Sequence, residues 1–316
     1  MNQPRRILII KLSALGNVIL SLGPFASIRA HHPDAEITVL TTPPYAGWLA
    51  KAPWFDHIIS DGRPPWWDIA GLWRLRRTLR AGGFERVYDL QTSGRTSRYF
   101  GIFPPDARPD WCGIAPGCSL PHRLPAGTRM HDIDRQFDQL AVAGITERSA
   151  VDLRWSAADI GRFGLADRFA LLVPGSSAHR PGKRWPADRY GALALRLAAR
   201  GLQPVIVGTK SEAPLGEALR AVAPSAIDLL GKTSLPELTE LTRRAVLAVG
   251  NDTGPMHLAA AAGCPSVVLF SHDSDPFLCA PRGPWVRTLR QARLSDLSLD
   301  EVTAALPALG DERVTG

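Results

Sequence analysis

Cysteine is scarce and unclustered. The 316 residues include four, Cys112, Cys118, Cys264 and Cys279, with no Cys-x-x-Cys pair and no His/Cys spacing of the kind that holds zinc. This argues against a disulfide framework or structural metal and fits a reducing cytoplasm. Blocks of like charge are also missing. No five consecutive residues share a sign, so no nucleic-acid arm is expected, although a net charge of +7 favours some anionic partner. Long apolar runs are absent too. Lys11 interrupts the run 7–10, and the stretch 18–25 is short and carries glycine and proline, so both read as mature structure rather than as an export signal or a membrane span.

What is present is a repeated alternation of short aliphatic runs with amphipathic stretches of helical length. That is the pattern of parallel sheets covered by helices. A first series predicts strands at 7–10, 37–40, 58–59, 87–90 and 111–114, followed by a helix over 131–143. A second predicts strands at 170–173, 204–207, 227–229, 246–249 and 266–270. The polar segment 144–161 between them has little periodicity and reads as the connection. The length suits two domains of about 150 residues each, here 1–150 and 151–316. The expected class is α/β, with two Rossmann-like domains whose parallel sheets face a central cleft at the strands' carboxyl ends.

One segment stands apart. Residues 66–80 read as a helix with Trp66, Ile69 and Trp73 on one face, Leu72, Leu75 and Leu79 beside them, and four arginines interleaved. Such a helix either packs on the first sheet with its arginines solvated or meets a membrane surface.

Three strand-to-helix loops carry the chemistry. The first, Lys11-Leu12-Ser13-Ala14-Leu15-Gly16-Asn17, places a glycine at a tight turn and a helix N-terminus that offers amides to an anion or hydroxyl. It lacks the Gly-x-Gly-x-x-Gly and Gly-Lys-Ser/Thr fingerprints, so hydride transfer and NTP hydrolysis lose ground. The second runs from Val173 to Pro186. Its glycines, the hydroxyls of Ser176 and Ser177 and the cation of Lys183 suit a diphosphate cradle; an exposed basic loop is the bland alternative. The third, Gly250-Asn251-Asp252-Thr253-Gly254-Pro255-Met256-His257, opens a small-residue helix that Asp252 or Thr253 could cap, while Gly254 lets a ligand approach the backbone. His257 could equally be a satisfied core histidine. Asp273-Ser274-Asp275 sits before Pro276 and reads as a polar turn, so no metal is expected there.

At these loops the sequence resembles glycosyltransferase family 9, the ADP-heptose:lipopolysaccharide heptosyltransferases. The most specific pieces are Lys183-Arg184-Trp185-Pro186, Gly231-Lys232-Thr233-Ser234-Leu235 and the Asn251 to His257 loop, supported by Tyr88-Asp89-Leu90-Gln91 and the opening turn. The resemblance implies the GT-B architecture and a metal-independent, inverting transfer from an ADP-sugar donor, without a further cofactor, to lipopolysaccharide core or another envelope glycan. It implies an N-terminal acceptor domain and a C-terminal donor domain, and work in the cytoplasm, peripherally on the inner membrane's cytoplasmic face. Ser176, Ser177 and Lys183 would contact the donor diphosphate, Asp252, Thr253, Gly254 and His257 would line the same site, and Glu212 resembles the acidic residue facing the ribose.

One position departs from the family. Where relatives commonly carry the aspartate proposed as base, this chain has Asn17, a neutral amide that can orient a hydroxyl but not take its proton in the ordinary way. Asp89 could serve as base instead, or the proton could leave late to solvent or donor phosphate. A non-catalytic nucleotide-sugar-binding protein and a nucleotide-sugar epimerase are the rival functions.

Overall fold

The structure is a computed structural model that describes residues 3–176 and 181–308. The chain divides into two compact units, Met1–Trp155 and Ser156–Gly316, with the division inside the polar segment 144–161.

The first unit holds strands Arg6–Ile10 (β1), Glu36–Thr41 (β2), His57–Ser60 (β3), Arg86–Asp89 (β4), Asp110–Gly113 (β5) and Leu120–Pro121 (β6). They form one sheet in the order β3-β2-β1-β4-β5-β6, with parallel pairing throughout. The second unit holds Phe169–Val173 (β7), Gln203–Ile206 (β8), Ile227–Asp228 (β9), Leu247–Asn251 (β10), Ser266–Phe270 (β11) and Val286–Arg290 (β12). Its order is β12-β11-β10-β7-β8-β9, again parallel. Counted from each unit's own first strand, both sheets read 3-2-1-4-5-6. The chain reverses direction across the sheet between first and fourth strands, and there the following loops part to leave a crevice.

The central strands are aliphatic on both faces because helices cover both. Ile7 to Ile10 and Phe169 to Val173 are all buried. Each unit has its own core: Leu8, Ile10, Leu40, Leu79, Val87 and Trp111 contribute to one, and Leu172, Trp185, Tyr190, Leu193, Val249 and Leu269 to the other. Gly250 packs against its neighbours with no room for a side chain, since a Cβ there would lie 2.5 Å from Val173 Cβ and 2.7 Å from Met256 Sδ. Gly250 and Val173 are the last paired residues of β10 and β7 before their loops diverge.

The predicted helix over 131–143 is Asp132–Val142, and that over 66–80 is Ile69–Ala81. The latter is capped by Asp68, whose carboxylate accepts from Gly71 N at 2.8 Å. It does pack on the first unit, through Gly71, Leu75 and Leu79, and its tryptophans stay outside. Among the described residues no helix is long and apolar enough to cross a membrane.

Candidate functional site

The loops after β7 and β10 converge as their strand positions require. Val173 lies beside Gly250 in register, and the next residue of β10, Asn251, reaches across. Its Nδ2 donates to Pro174 O at 2.8 Å and Gly175 O at 3.2 Å, while its Oδ1 accepts from Trp185 N and Tyr190 OH, both at 3.1 Å. The side chain is fully buried and all four partners lie on the β7 side of the crevice. One amide thus fixes the start of the second loop, its end, and the helix that follows. The sequence signal for Asn251 is a single amide closing a strand that is otherwise apolar.

Asn251 sets Lys183 in place by holding the backbone of Trp185. The Lys183 ammonium donates to Asp252 Oδ2 at 2.7 Å, and His257 Nε2 stands 3.7 Å from the other carboxylate oxygen. Burial alone would push the Asp252 carboxyl up, but His257 and Lys183 outweigh it and hold the group at about 2. Lys183 and His257 are both more than nine-tenths buried, and His257 Nδ1 has no hydrogen-bond partner among the described residues.

The helix Gly254–Ala261 begins at this cluster, and here the structure corrects an expectation. Neither Asp252 nor Thr253 caps it: the Asp252 carboxylate is engaged by Lys183, and Thr253 Oγ1 turns back to Asn251 O at 3.2 Å. The N-terminus is left without a side-chain cap, so its partial positive charge faces the crevice beside Gly254.

Ser176 is buried at the end of the described part of the second loop, with its Oγ accepting from Arg184 Nε at 3.1 Å. Ser177 lies outside the described residues. Glu212 arrives from the loop after β8, where its Oε2 accepts from Thr209 N at 2.7 Å. Its carboxylate occupies the space that a Cβ would need on either Gly175 or Gly208. Gly175 therefore serves the site by letting an acidic group lie directly on the crevice backbone. Ser176, Lys183, Glu212, Asp252, Thr253, Gly254 and His257 accordingly belong to one neighbourhood of the second unit.

Asp275 caps the short helix Pro276–Cys279 by accepting from Phe277 N, and the Asp273 amide donates to Ser271 Oγ at 3.2 Å. Among the described residues no three His, Cys, Asp or Glu gather as metal ligands.

The matching crevice of the first unit is built differently. Lys11 follows β1, is buried, and donates to Leu90 O at 2.9 Å, while Gln91 Oε1 accepts from Leu12 N and Ser13 N. Burial pulls the Lys11 ammonium down to about 8. Asn17, in the helix Leu15–Ile19, is exposed, with its Nδ2 3.4 Å from Ser13 O. Asp89 ends β4 with no accessible surface. One oxygen accepts from Thr92 N at 3.2 Å, and the other has no hydrogen-bond partner among the described residues. Burial pushes its carboxyl up to about 6, against the pull of Thr96, the turn amides and Lys11. An open pocket of about 680 Å³ between β1, β2 and the helix Ile69–Ala81, lined by Arg6, Glu36, His57, Arg74 and Arg77, lies toward the strands' amino ends and away from this crevice.

Residues 121–301 match glycosyltransferase family 9 (heptosyltransferase), which covers nearly all of the second unit and the end of the first. The chain is 26% identical over 298 residues to lipopolysaccharide heptosyltransferase 3 of Escherichia coli K12, covering 87% of this chain and 84% of that protein. A glycosyl transferase family 9 structure from Veillonella parvula is similar with a TM-score of 0.81 at 25% identity, and 95% of each chain is covered. E. coli heptosyltransferase WaaC with ADP shares the fold with a TM-score of 0.76 at 20% identity, covering 95% of this chain and 98% of that one.

Proposed function

Because the chain belongs to glycosyltransferase family 9, the heptosyltransferase family, we propose that it moves a heptose from an ADP-heptose donor to a hydroxyl of lipopolysaccharide core. The relatives named for that transfer and the ADP bound to WaaC support the substrate classes. The observation that carries the donor site is the junction of Lys183, Asp252 and His257 beneath an uncapped helix N-terminus at the β7–β10 crevice.

In this reading the second unit holds the donor. The diphosphate lies against Ser176, Lys183 and the Gly254 amide, and Glu212 faces the ribose hydroxyls. His257 holds Asp252 ionised from the carboxylate's other oxygen. Asp252, kept ionised, orients Lys183 rather than touching an anion, because two negative groups at that distance would repel.

The first unit presents the acceptor. Its hydroxyl oxygen attacks the anomeric carbon on the face opposite the diphosphate, the new C–O bond forms as the C–O bond to phosphate breaks, and the electron pair leaves on ADP. Lys183 and the helix N-terminus stabilise that developing charge in place of a metal ion. Asn17 is exposed and orients the attacking hydroxyl, whose proton leaves late to solvent or to the donor phosphate. Asp89, without accessible surface, shapes the turn after β4 and takes no proton from the acceptor. Such an acceptor places the chain at the cytoplasmic face of the inner membrane.

Calorimetry with ADP-heptose, followed by mass spectrometry of a reaction with heptose-deficient lipopolysaccharide, tests the proposal. Donor binding and an acceptor gaining one heptose are expected. Donor binding without transfer would leave a nucleotide-sugar-binding protein, and sugar isomerised in the absence of acceptor would identify an epimerase.

A further inference from the structure

The largest hydrophobic side chains that the fold leaves uncovered are gathered in one place. Trp66, Trp67, Ile69 and Trp73 are 80%, 66%, 68% and 67% exposed, and they make up four of the ten exposed large hydrophobics of the described chain within eight residues. The other six stand singly along the chain, the ordinary condition of a protein surface. The helix does not lack a core contact, since Gly71, Leu75 and Leu79 supply one. At about 100° per residue, Trp73 stands about 160° round the helix from Leu75, so it points away from the protein body. The patch is not slack either. Trp66 and Trp67 hold each other edge to face at 5.5 Å, and the preceding turn is pinned by Arg95 Nη1 donating to Pro64 O and by buried Asp61 accepting from Tyr99 OH at 2.7 Å.

Charge identifies what covers it. Residues 63–80 contain Arg63, Arg74, Arg76, Arg77 and Arg80 against one acid, Asp68, and that carboxylate is spent on capping the helix. Rigid tryptophans among arginines, with no acidic side chain facing outward, suit an anionic bilayer surface, where indole rings settle at headgroup depth and guanidinium groups meet lipid phosphates. The same turn borders the first unit's crevice, since Arg63 Nη1 donates to Ser13 Oγ at 3.2 Å.

We infer that the tryptophan–arginine surface of residues 66–80 is a membrane-docking face that seats the first unit on anionic phospholipid beside its acceptor crevice. This deepens the proposed transfer to a membrane-borne glycan, yet docking requires no turnover, so the two can fail separately.

The test is co-sedimentation of the purified full-length chain with phosphatidylcholine vesicles, with and without phosphatidylglycerol. Trp66→Ser/Trp73→Ser and Arg74→Glu/Arg77→Glu variants serve as comparisons, with thermal melting as the check on folding. The wild type should bind only the anionic vesicles, and more weakly at high salt. Partition should fall about tenfold for each tryptophan withdrawn. The arginine variant should lose binding too, while both variants keep wild-type turnover on a delipidated acceptor. Wild-type protein that ignores anionic vesicles, or a tryptophan variant that binds them undiminished, overturns the inference. So does a concentration-dependent wild-type dimer that the tryptophan variant fails to form, which assigns the patch to a second copy. Loss of transfer with vesicle binding intact would instead count against the heptosyl-transfer reading alone.

Discussion

The β7–β10 crevice holds a carboxylate ionised, whereas the β1–β4 crevice, at the same place in the same strand order, penalises ionisation. Asp252 is drawn down to about 2 by Lys183 and His257, while burial pushes Asp89 up to about 6 and Lys11 down to about 8. Both crevices carry a lysine and an aspartate, so composition does not separate them. Contact does: Lys183 pairs with Asp252, but Lys11 donates to the Leu90 carbonyl. The strand order fixes where a ligand meets each sheet, and side-chain pairing decides what that place can bind. A charged junction beneath a helix N-terminus suits a diphosphate, and amide and hydroxyl groups over a buried polar turn suit a sugar hydroxyl.

The largest effect should come from breaking the charged junction. Lys183→Ala should lower kcat/KM for the donor by about 10²–10³, the scale of losing one preorganised charge donor at a leaving group. Initial rates check this, and calorimetry should show weakened ADP binding. Removing the amide beneath the junction comes next. Asn251→Ala strips partners from buried Pro174 O, Gly175 O, Trp185 N and Tyr190 OH and should cost about 3 kcal/mol of stability, read by denaturant unfolding.

The pH response should separate the crevices further. Asp252 titrates below the ~3.9 of an unfolded aspartate, so its ionised form adds stability above that value, and the contribution is lost as pH falls toward 2. Asp89 titrates above it, so ionisation costs stability, and the cost builds as pH rises from ~4 to about 6. Thermal melting of Asp89→Asn should therefore lose the downward slope of that window, about 2 kcal/mol in the wild type. The smallest effect is expected at the exposed position. Asn17→Ala should slow transfer by about tenfold, the value of one orienting hydrogen bond in the transition state. Donor affinity by calorimetry should not change.

Much of the scaffold was legible because buried parallel strands write themselves as aliphatic runs. All ten strands expected from such runs are present, from β1 at Arg6–Ile10 to β11 at Ser266–Phe270. The two that were not foreseen lack that signal: β6 has two residues, and β12, Val-Arg-Thr-Leu-Arg, is an edge strand with no buried position. Loop position and residue type were enough to gather Lys183, Asp252, Thr253, Gly254 and His257. They could not reveal that Asn251 joins four groups or that Asp252 leaves the helix uncapped, because those partnerships span 61 to 77 residues or compete with them. Periodicity likewise set Leu72, Leu75 and Leu79 beside Trp66, Ile69 and Trp73 without telling which of them the first unit covers.

Gly175 ties any change of the proposed donor site to Glu212. Since the Glu212 carboxylate fills the volume that any side chain at 175 would claim, the two positions are a single design variable. Under the proposed donor reading, residue 212 is open to isosteres such as glutamine while glycine stays at 175. A bulkier residue at 175 would displace the acid from the crevice backbone, so a mutational library should diversify these two sites jointly rather than one after the other.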